Sequence, residues 1–119
     1  MDKLDIIFDL QKKLNQDIAQ RRGLEGFTRQ EWLEKNTLAL VAELGEFLNE
    51  TNFKWWKNPK EPDTEAIQEE LIDILHFFIS ICIHAGMDAE RLFEVYKNKN
   101  KENFDRQYGR SAKEGYHIE

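Results

Sequence analysis

The sequence predicts an all-α protein, a helical bundle of four to five helices forming one domain over residues 1–119. Three observations carry that expectation. Apolar residues recur at helical spacing in successive segments, and no strand-period alternation of useful length appears. Helix-start and helix-stop signals fall between those segments. Two pairs of carboxylates, Glu43-Leu-Gly-Glu46 and Glu70-Leu-Ile-Asp73, lie within apolar runs at i, i+3, a spacing that sets both members on one helical face.

The first helix is expected over residues 2–20, with Ile7, Leu10, Leu14 and Ile18 along one side, ended by Arg21-Arg22-Gly23. Thr28-Arg-Gln-Glu31 is a capping-box pattern that opens the second helix. That helix carries Trp32, Leu40, Val41, Leu44, Phe47 and Leu48 on its way to about Glu50. Gly45 inside it is a poor helix former, which fits either close helix packing or room for a ligand beside the carboxylates. A loop over residues 51–63 holds both prolines, Pro59 and Pro62, and the run Phe53-Lys54-Trp55-Trp56-Lys57. Asp63 or Thr64 caps the third helix, which runs to about His84 and stops at Gly86. Asp88 caps the fourth, which includes Leu92, Phe93, Val95 and Tyr96. By composition alone, residues 97–119 read as a solvated, frayed terminus.

The third helix is the most apolar: ten of the 13 residues from Leu71 to Ile83 are hydrophobic. It is too short for a bilayer, which takes about 20 residues, and Asp73 and His76 interrupt it. A helix apolar on nearly every side is a central core helix or one that also faces a partner. A homodimer is therefore expected, with Phe77, Phe78 and Ile81 divided between the subunit core and the interface.

Bulk properties narrow the function. A net charge of −6 argues against a general nucleic-acid binder. Cys82 is the only cysteine, so no internal disulfide forms, and a cytoplasmic, reducing location is expected. Flanked by isoleucines, it reads as a buried inert thiol. The amino-terminal residues lack a basic stretch ahead of an apolar run, so they do not read as a signal peptide, and no membrane association is expected.

The chemistry lies in the carboxylates. An isolated glutamate is costly to bury, and hard oxygen ligands facing each other are what Mg2+ or Mn2+ requires. The 23 residues between Glu46 and Glu70 suffice to finish one helix and return antiparallel, so that the two pairs face each other. Asp73, between Ile72 and Ile74, fits a solvated face poorly. Glu50, one heptad beyond Glu43, reads as a surface residue at a helix end. His76, three residues after Asp73, reads as a hydrogen-bonded core histidine more readily than as a ligand. Phosphate chemistry on a divalent cation is the expected use of such a cluster.

Glu43-x-x-Glu46 followed by Glu70-x-x-Asp73 resembles the signature of the all-α NTP pyrophosphohydrolases, the MazG-like superfamily. Leu10-Gln11-Lys12-Lys13-Leu14-Asn15, the Lys54-Trp55-Trp56-Lys57 loop and the stretch from Tyr96 through Lys99, Asn103, Arg106 and Gln107 resemble motifs of one branch, the dimeric dUTPases. The resemblance spans nearly the whole chain and implies hydrolysis of dUTP to dUMP and diphosphate, leaving open whether dUDP is also cleaved. It implies Mg2+, or Mn2+, held by Glu43, Glu46, Glu70 and Asp73, with Glu46 or Glu43 as general base. Lys99 and Arg106 would neutralise the triphosphate, and Asn103, i+4 from Lys99, would orient a phosphate or the sugar. Tyr96, Lys54 and Lys57 belong to the same implied substrate site, and Trp56 or its neighbour Trp55 would stack on the base. Gln11 and Asn15 share a face of the first helix and are the natural base readers, because an amide both donates and accepts. Two ordinary polar residues on an exposed face is the competing reading.

Other readings differ in substrate or class. The same superfamily includes activities on other nucleotides, so dCTP or a modified dNTP is the runner-up. A di-iron carboxylate bundle would use paired Glu-x-x-His motifs. The predicted helices contain none, the one such spacing being Glu114 to His117 in the tail. A helical interaction module without catalysis remains the third.

Overall fold

The structure, a computed structural model, describes residues 1–116 and 118. The described residues form four helices and no strand: α1 (Lys3–Arg22), α2 (Arg29–Asn49), α3 (Thr64–His84) and α4 (Ala89–Gln107). The chain divides into two compact units, Met1–Gly86 and Met87–Glu119.

Local chemistry explains each boundary in the first unit. Asp2 and Asp5 form a reciprocal capping box at the start of α1, and Gly23, in the left-handed conformation at φ 65°, closes it two residues beyond the expected end. Thr28 and Glu31 form the anticipated box on α2. Asp63, rather than Thr64, caps α3 by accepting from the Ala66 N–H.

α3 is the centre of this unit and packs against both α2 and α1. Arg29, at the start of α2, donates to the carbonyl of His84 at the end of α3, so those helices run antiparallel. Gln11 meets His76 and Asn15 meets Ser80, a constant offset that sets α1 parallel to α3. Phe8, Ile79 and Cys82 form the buried core. Burial pushes the Cys82 thiol above its usual pKa, in keeping with an inert side chain. Edge-to-face contact of Phe27 on Trp32 and stacking of Trp32 on His84 close the end of the unit where α2 begins.

The apolar surface is not fully covered within one chain. α2 buries no residue completely, and Leu38 (71% exposed) and Val41 (59%) lie open on it. On α3, Ile72 and Phe78 are exposed and Phe77 and Ile81 half-buried. A Cβ added at Gly45 would meet no atom within 4 Å, so close helix packing is not what that glycine serves within the chain. No single described helix is long and apolar enough to cross a membrane.

The second unit corrects the reading of a frayed terminus. Asp88 caps α4, which continues unbroken through Lys99 and Asn103 to Gln107. Lys101–Asp105 (2.8 Å) and Arg106–Glu102 (3.2 Å) are i, i+4 pairs that support a helix whose composition alone looks loop-like. His117 and Glu119, at the end of the segment expected to be frayed, lie outside the described residues.

Candidate active site

Three of the four carboxylates come together. α2 carries Glu43 and Glu46 and α3 carries Glu70, and one carboxylate oxygen from each of the three lies within 4.8 Å of the others. Glu43 and Glu70 are half-buried, and the Oε2 atom of each is buried without any hydrogen-bond partner. Burial, then the charges of Glu46, Asp73 and Glu70, pushes the Glu43 carboxyl above its ordinary range. Burial, then Glu46 and Asp73, does the same to Glu70. Among the described residues no ion pair reaches Glu43, Glu46 or Glu70.

Orphaned acceptors crowded in this way are what a hard divalent cation satisfies. The donor set, all carboxylate oxygen, fits Mg2+ or Mn2+. Asp73 differs from the expectation: it is exposed, as is its neighbour Ile72, and its oxygens are not among the converging three, although its charge is felt by both Glu43 and Glu70. Asp73 instead lines an open hollow with Glu65, Gln68, Glu69 and Ile72, which an apolar flanking sequence does not reveal. Glu46 is the exposed member of the three and Glu50 is half-buried, ion-paired with Lys60 at 3.3 Å.

Along α3 from the carboxylates lies a polar network that the sequence identified in part. Gln11 is buried, not on an exposed face. Its Nε2 donates to Asn15 Oδ1 at 2.9 Å, and its Oε1 contacts His76 Nδ1. Asn15 Nδ2 donates to Ser80 Oγ at 3.1 Å, and the Ser80 hydroxyl donates to the His76 carbonyl at 2.9 Å. His76 is thus hydrogen-bonded, as expected, but it is exposed and not part of the core. Asn15 also lines a cavity of about 620 Å³ walled by Trp32, Asn36, Phe77 and His84. Burial holds the His84 imidazole below its ordinary pKa.

Sequence reasoning missed Ser80, Trp32, Asn36 and His84 as members of this region. Ser80 carried a signal: it is the only hydroxyl in the apolar stretch and stands i+4 from His76. Trp32 and Asn36 looked like ordinary members of an amphipathic helix, and only the fold joins them to Asn15.

The loop between α2 and α3 is closed by Asn52, whose amide donates to the Lys60 carbonyl (2.9 Å) and accepts from the Lys60 N–H (3.0 Å). Lys54 and Lys57 line a small hollow of about 190 Å³ together with Lys60. Trp55 and Trp56 pack edge to face at 4.6 Å and remain exposed, neither lining the cavity beside Asn15.

In the second unit Lys99, Asn103 and Tyr96 are exposed on α4. Arg106 is engaged: it pairs with Glu102, donates to Asn103 Oδ1 at 3.4 Å, and lies 5.4 Å over the Tyr116 ring. Glu102, four residues before Arg106, is the one sign in the sequence that this guanidinium is held in place.

Comparison with known proteins adds the family. A family model described as dUTPase matches residues 3–91. A dCTP pyrophosphatase of Enterobacteria phage T4 is 47% identical over 45 residues, 38% of this chain and 26% of that protein. A dCTP pyrophosphatase of Enterobacteria phage LZ5 is 41% identical over 64 residues, 44% of this chain and 37% of its own length. The chain thus spans well under half the length of these relatives. No solved structure matches it. The helical bundle, the facing carboxylates and a family match over most of its length together establish that this chain belongs to the all-α dUTPase-like family of nucleotide pyrophosphohydrolases.

Proposed function

We propose that this protein hydrolyses a pyrimidine deoxynucleoside triphosphate, dUTP or dCTP, to the monophosphate and diphosphate, using Mg2+ or Mn2+. The observation that carries this is the pair of orphaned carboxylate oxygens on Glu43 and Glu70 beside Glu46. Glu43, Glu46 and Glu70 would hold the cation, with Asp73 adding its charge. A bound divalent cation supplies phosphate bridging and a more acidic water. Glu46, the exposed member, would take a proton from the attacking water as its oxygen bonds to phosphorus and the bridging bond between the α- and β-phosphates breaks, releasing monophosphate and diphosphate.

The base would be read by Gln11 and Asn15. About seven residues of α3 separate the Glu70–Asp73 level from the His76–Ser80 level, roughly 10 Å at the helical rise, comparable with the span of a nucleoside monophosphate. Lys54 and Lys57 offer charge for phosphate, and the family resemblance would add Lys99, Arg106, Asn103 and Tyr96 of the second unit. Trp56 is a candidate lid over the nucleoside.

The family match supports dUTP. The two phage relatives, named for dCTP, support dCTP. The open apolar faces of α2 and α3 favour a homodimer in which a second copy covers them. A dNTP panel with Mg2+, resolving phosphate from diphosphate release, tests the reaction: no diphosphate from either pyrimidine nucleotide would falsify it. Light scattering that gives a mass near 14.2 kDa at micromolar concentration contradicts the dimer.

A further inference from the structure

We propose that Ser80 is a positioning residue that sets the direction of the hydrogen-bond chain through Asn15 and Gln11, and thereby determines which pyrimidine is preferred; the inference rests on the nucleotide reading above. Ser80 is 2% exposed and sits too deep to touch substrate itself. Its hydroxyl has one proton, which it gives to the His76 carbonyl one turn back at 2.9 Å. Having spent that proton, the oxygen can only accept from Asn15, and Asn15 Nδ2 is turned toward it at 3.1 Å. This rotation points Asn15 Oδ1 at Gln11 Nε2, which donates at 2.9 Å. Gln11 Oε1 is then left facing His76 Nδ1. The chain starts at the ring of His76 and ends on the same residue's carbonyl, and each link fixes the orientation of the next.

The opposite direction is also accessible. Ser80 Oγ lies 3.4 Å from Asn15 Oδ1, within reach if the hydroxyl turns away from the backbone. Both amides would then rotate end for end and His76 would accept at Nδ1 as its other neutral tautomer. That state gives up the bond to the His76 carbonyl, so the hydroxyl biases the network toward the direction seen.

Direction matters because uracil and cytosine have nearly the same outline and opposite polarity at two adjacent edge atoms. Uracil offers a carbonyl oxygen and an N–H; cytosine offers an amino group and a bare ring nitrogen. A pair of amides locked in one direction matches one edge and leaves unpaired groups against the other. Amides free to reverse accept either.

The test is kcat/KM for dUTP and dCTP with Mg2+ in the wild type, Ser80→Ala, Ser80→Cys and Ser80→Thr, with circular dichroism to check folding. The wild type should prefer one nucleotide by at least ~10-fold, in the range a polar base-reading site can reach. Ser80→Ala and Ser80→Cys should bring the ratio within about 3-fold of unity. Ser80→Thr, which keeps the hydroxyl, should preserve it. The cysteine variant, which keeps an atom at the γ position but only a weak donor, carries the test if the alanine variant does not fold. A purely structural role would lower both rates together and leave the ratio alone. A wild-type ratio near one, an unmoved ratio in the folded Ala or Cys variant, or a threonine variant that shifts it as far as alanine overturns the proposal. Hydrolysis of neither nucleotide by the wild type overturns the reaction, and this inference with it.

Discussion

Glu70-x-x-Asp73 on α3 and Glu102-x-x-Asp105 on α4 have the same residues at the same spacing, and the fold treats them in opposite ways. On α4, Glu102 accepts from the Ser111 hydroxyl and pairs with Arg106, while Asp105 pairs with Lys101 at 2.8 Å and Arg110 at 3.3 Å. Both α4 carboxyls are held below their ordinary pKa, Glu102 chiefly by the Ser111 hydrogen bond and Asp105 chiefly by Lys101. On α3, Glu70 is held above its ordinary value by burial and by the charges of Glu46 and Asp73. Glu70 also keeps an oxygen with no partner. Spacing alone therefore does not mark a metal site. What sets the α3 pair apart is a buried acceptor left without a partner.

The largest test of that contrast is catalytic. Glu46→Ala or Asp73→Ala should cut turnover at least ~100-fold with helix content unchanged. Asp105→Asn, in the balanced pair, should leave turnover within about 3-fold. Equal losses in both places would erase the distinction drawn here.

Stability should move in the reverse sense. In EDTA, Glu43→Gln or Glu70→Gln should raise the melting temperature by a few degrees, because each removes a crowded charge, and Asp105→Asn should lower it. Added Mg2+ should stabilise the wild type and do so less in the Gln variants, as binding to the folded state requires. Differential scanning calorimetry reads both effects. A Gln variant that melts lower than wild type without metal would mean these carboxylates have protein partners after all.

The two groups also give opposite pH dependence. Glu43 and Glu70, raised from 4.5, contribute stability that is complete below that value and is lost as pH rises through their higher folded values. Glu102 and Asp105, lowered from 4.5 and 3.8, contribute stability present above those values and lost as pH falls through their depressed ones. Metal-free protein should therefore lose stability over the interval in which pH rises above 4.5 and through the higher folded values, and the Glu43→Gln/Glu70→Gln double variant should not. A metal-free wild type whose melting temperature climbs over that interval contradicts the direction assigned to the cluster.

The smallest effect is at Gly45, between the two carboxylates of α2. With no atom within 4 Å of an added Cβ, Gly45→Ala should stabilise the metal-free chain by roughly 1 kcal/mol through helix propensity. If activity falls while stability rises, the space beside Gly45 serves the substrate. If both are unaffected, the glycine has no role at the site.

The helices were legible because each carries its own punctuation: Asp2, Thr28, Asp63 and Asp88 all cap where the sequence places a start. The facing of Glu43 and Glu70 was legible because helical period and loop length restrict how two adjacent helices can meet. The exposure of Asp73 was not, since flanking isoleucines suggest burial and Ile72 is itself open to solvent. Nor was the α4 pair's neutralisation at first sight, although Lys101, Arg106 and Arg110 were all present in the sequence. Deciding which carboxylates a cation reaches depends on rotamers and tertiary packing, and neither is periodic. Ser80 shows the same limit: a single hydroxyl among apolar residues is visible, but its partner on α1 is 65 positions away.

The stapled loop at Asn52 has a kinetic consequence. All four carboxylates lie on one contiguous helical hairpin, α2 and α3, whose connection is tied by the two Asn52–Lys60 hydrogen bonds. Short-range closure of this kind is fast, so the hairpin can form ahead of the longer-range docking of α1. The bundle's most repulsive feature would then be assembled early, and charge crowding would be felt in the folding barrier itself. Mg2+ should accordingly speed refolding and not merely slow unfolding. A chevron whose folding arm ignores Mg2+ would place hairpin closure late.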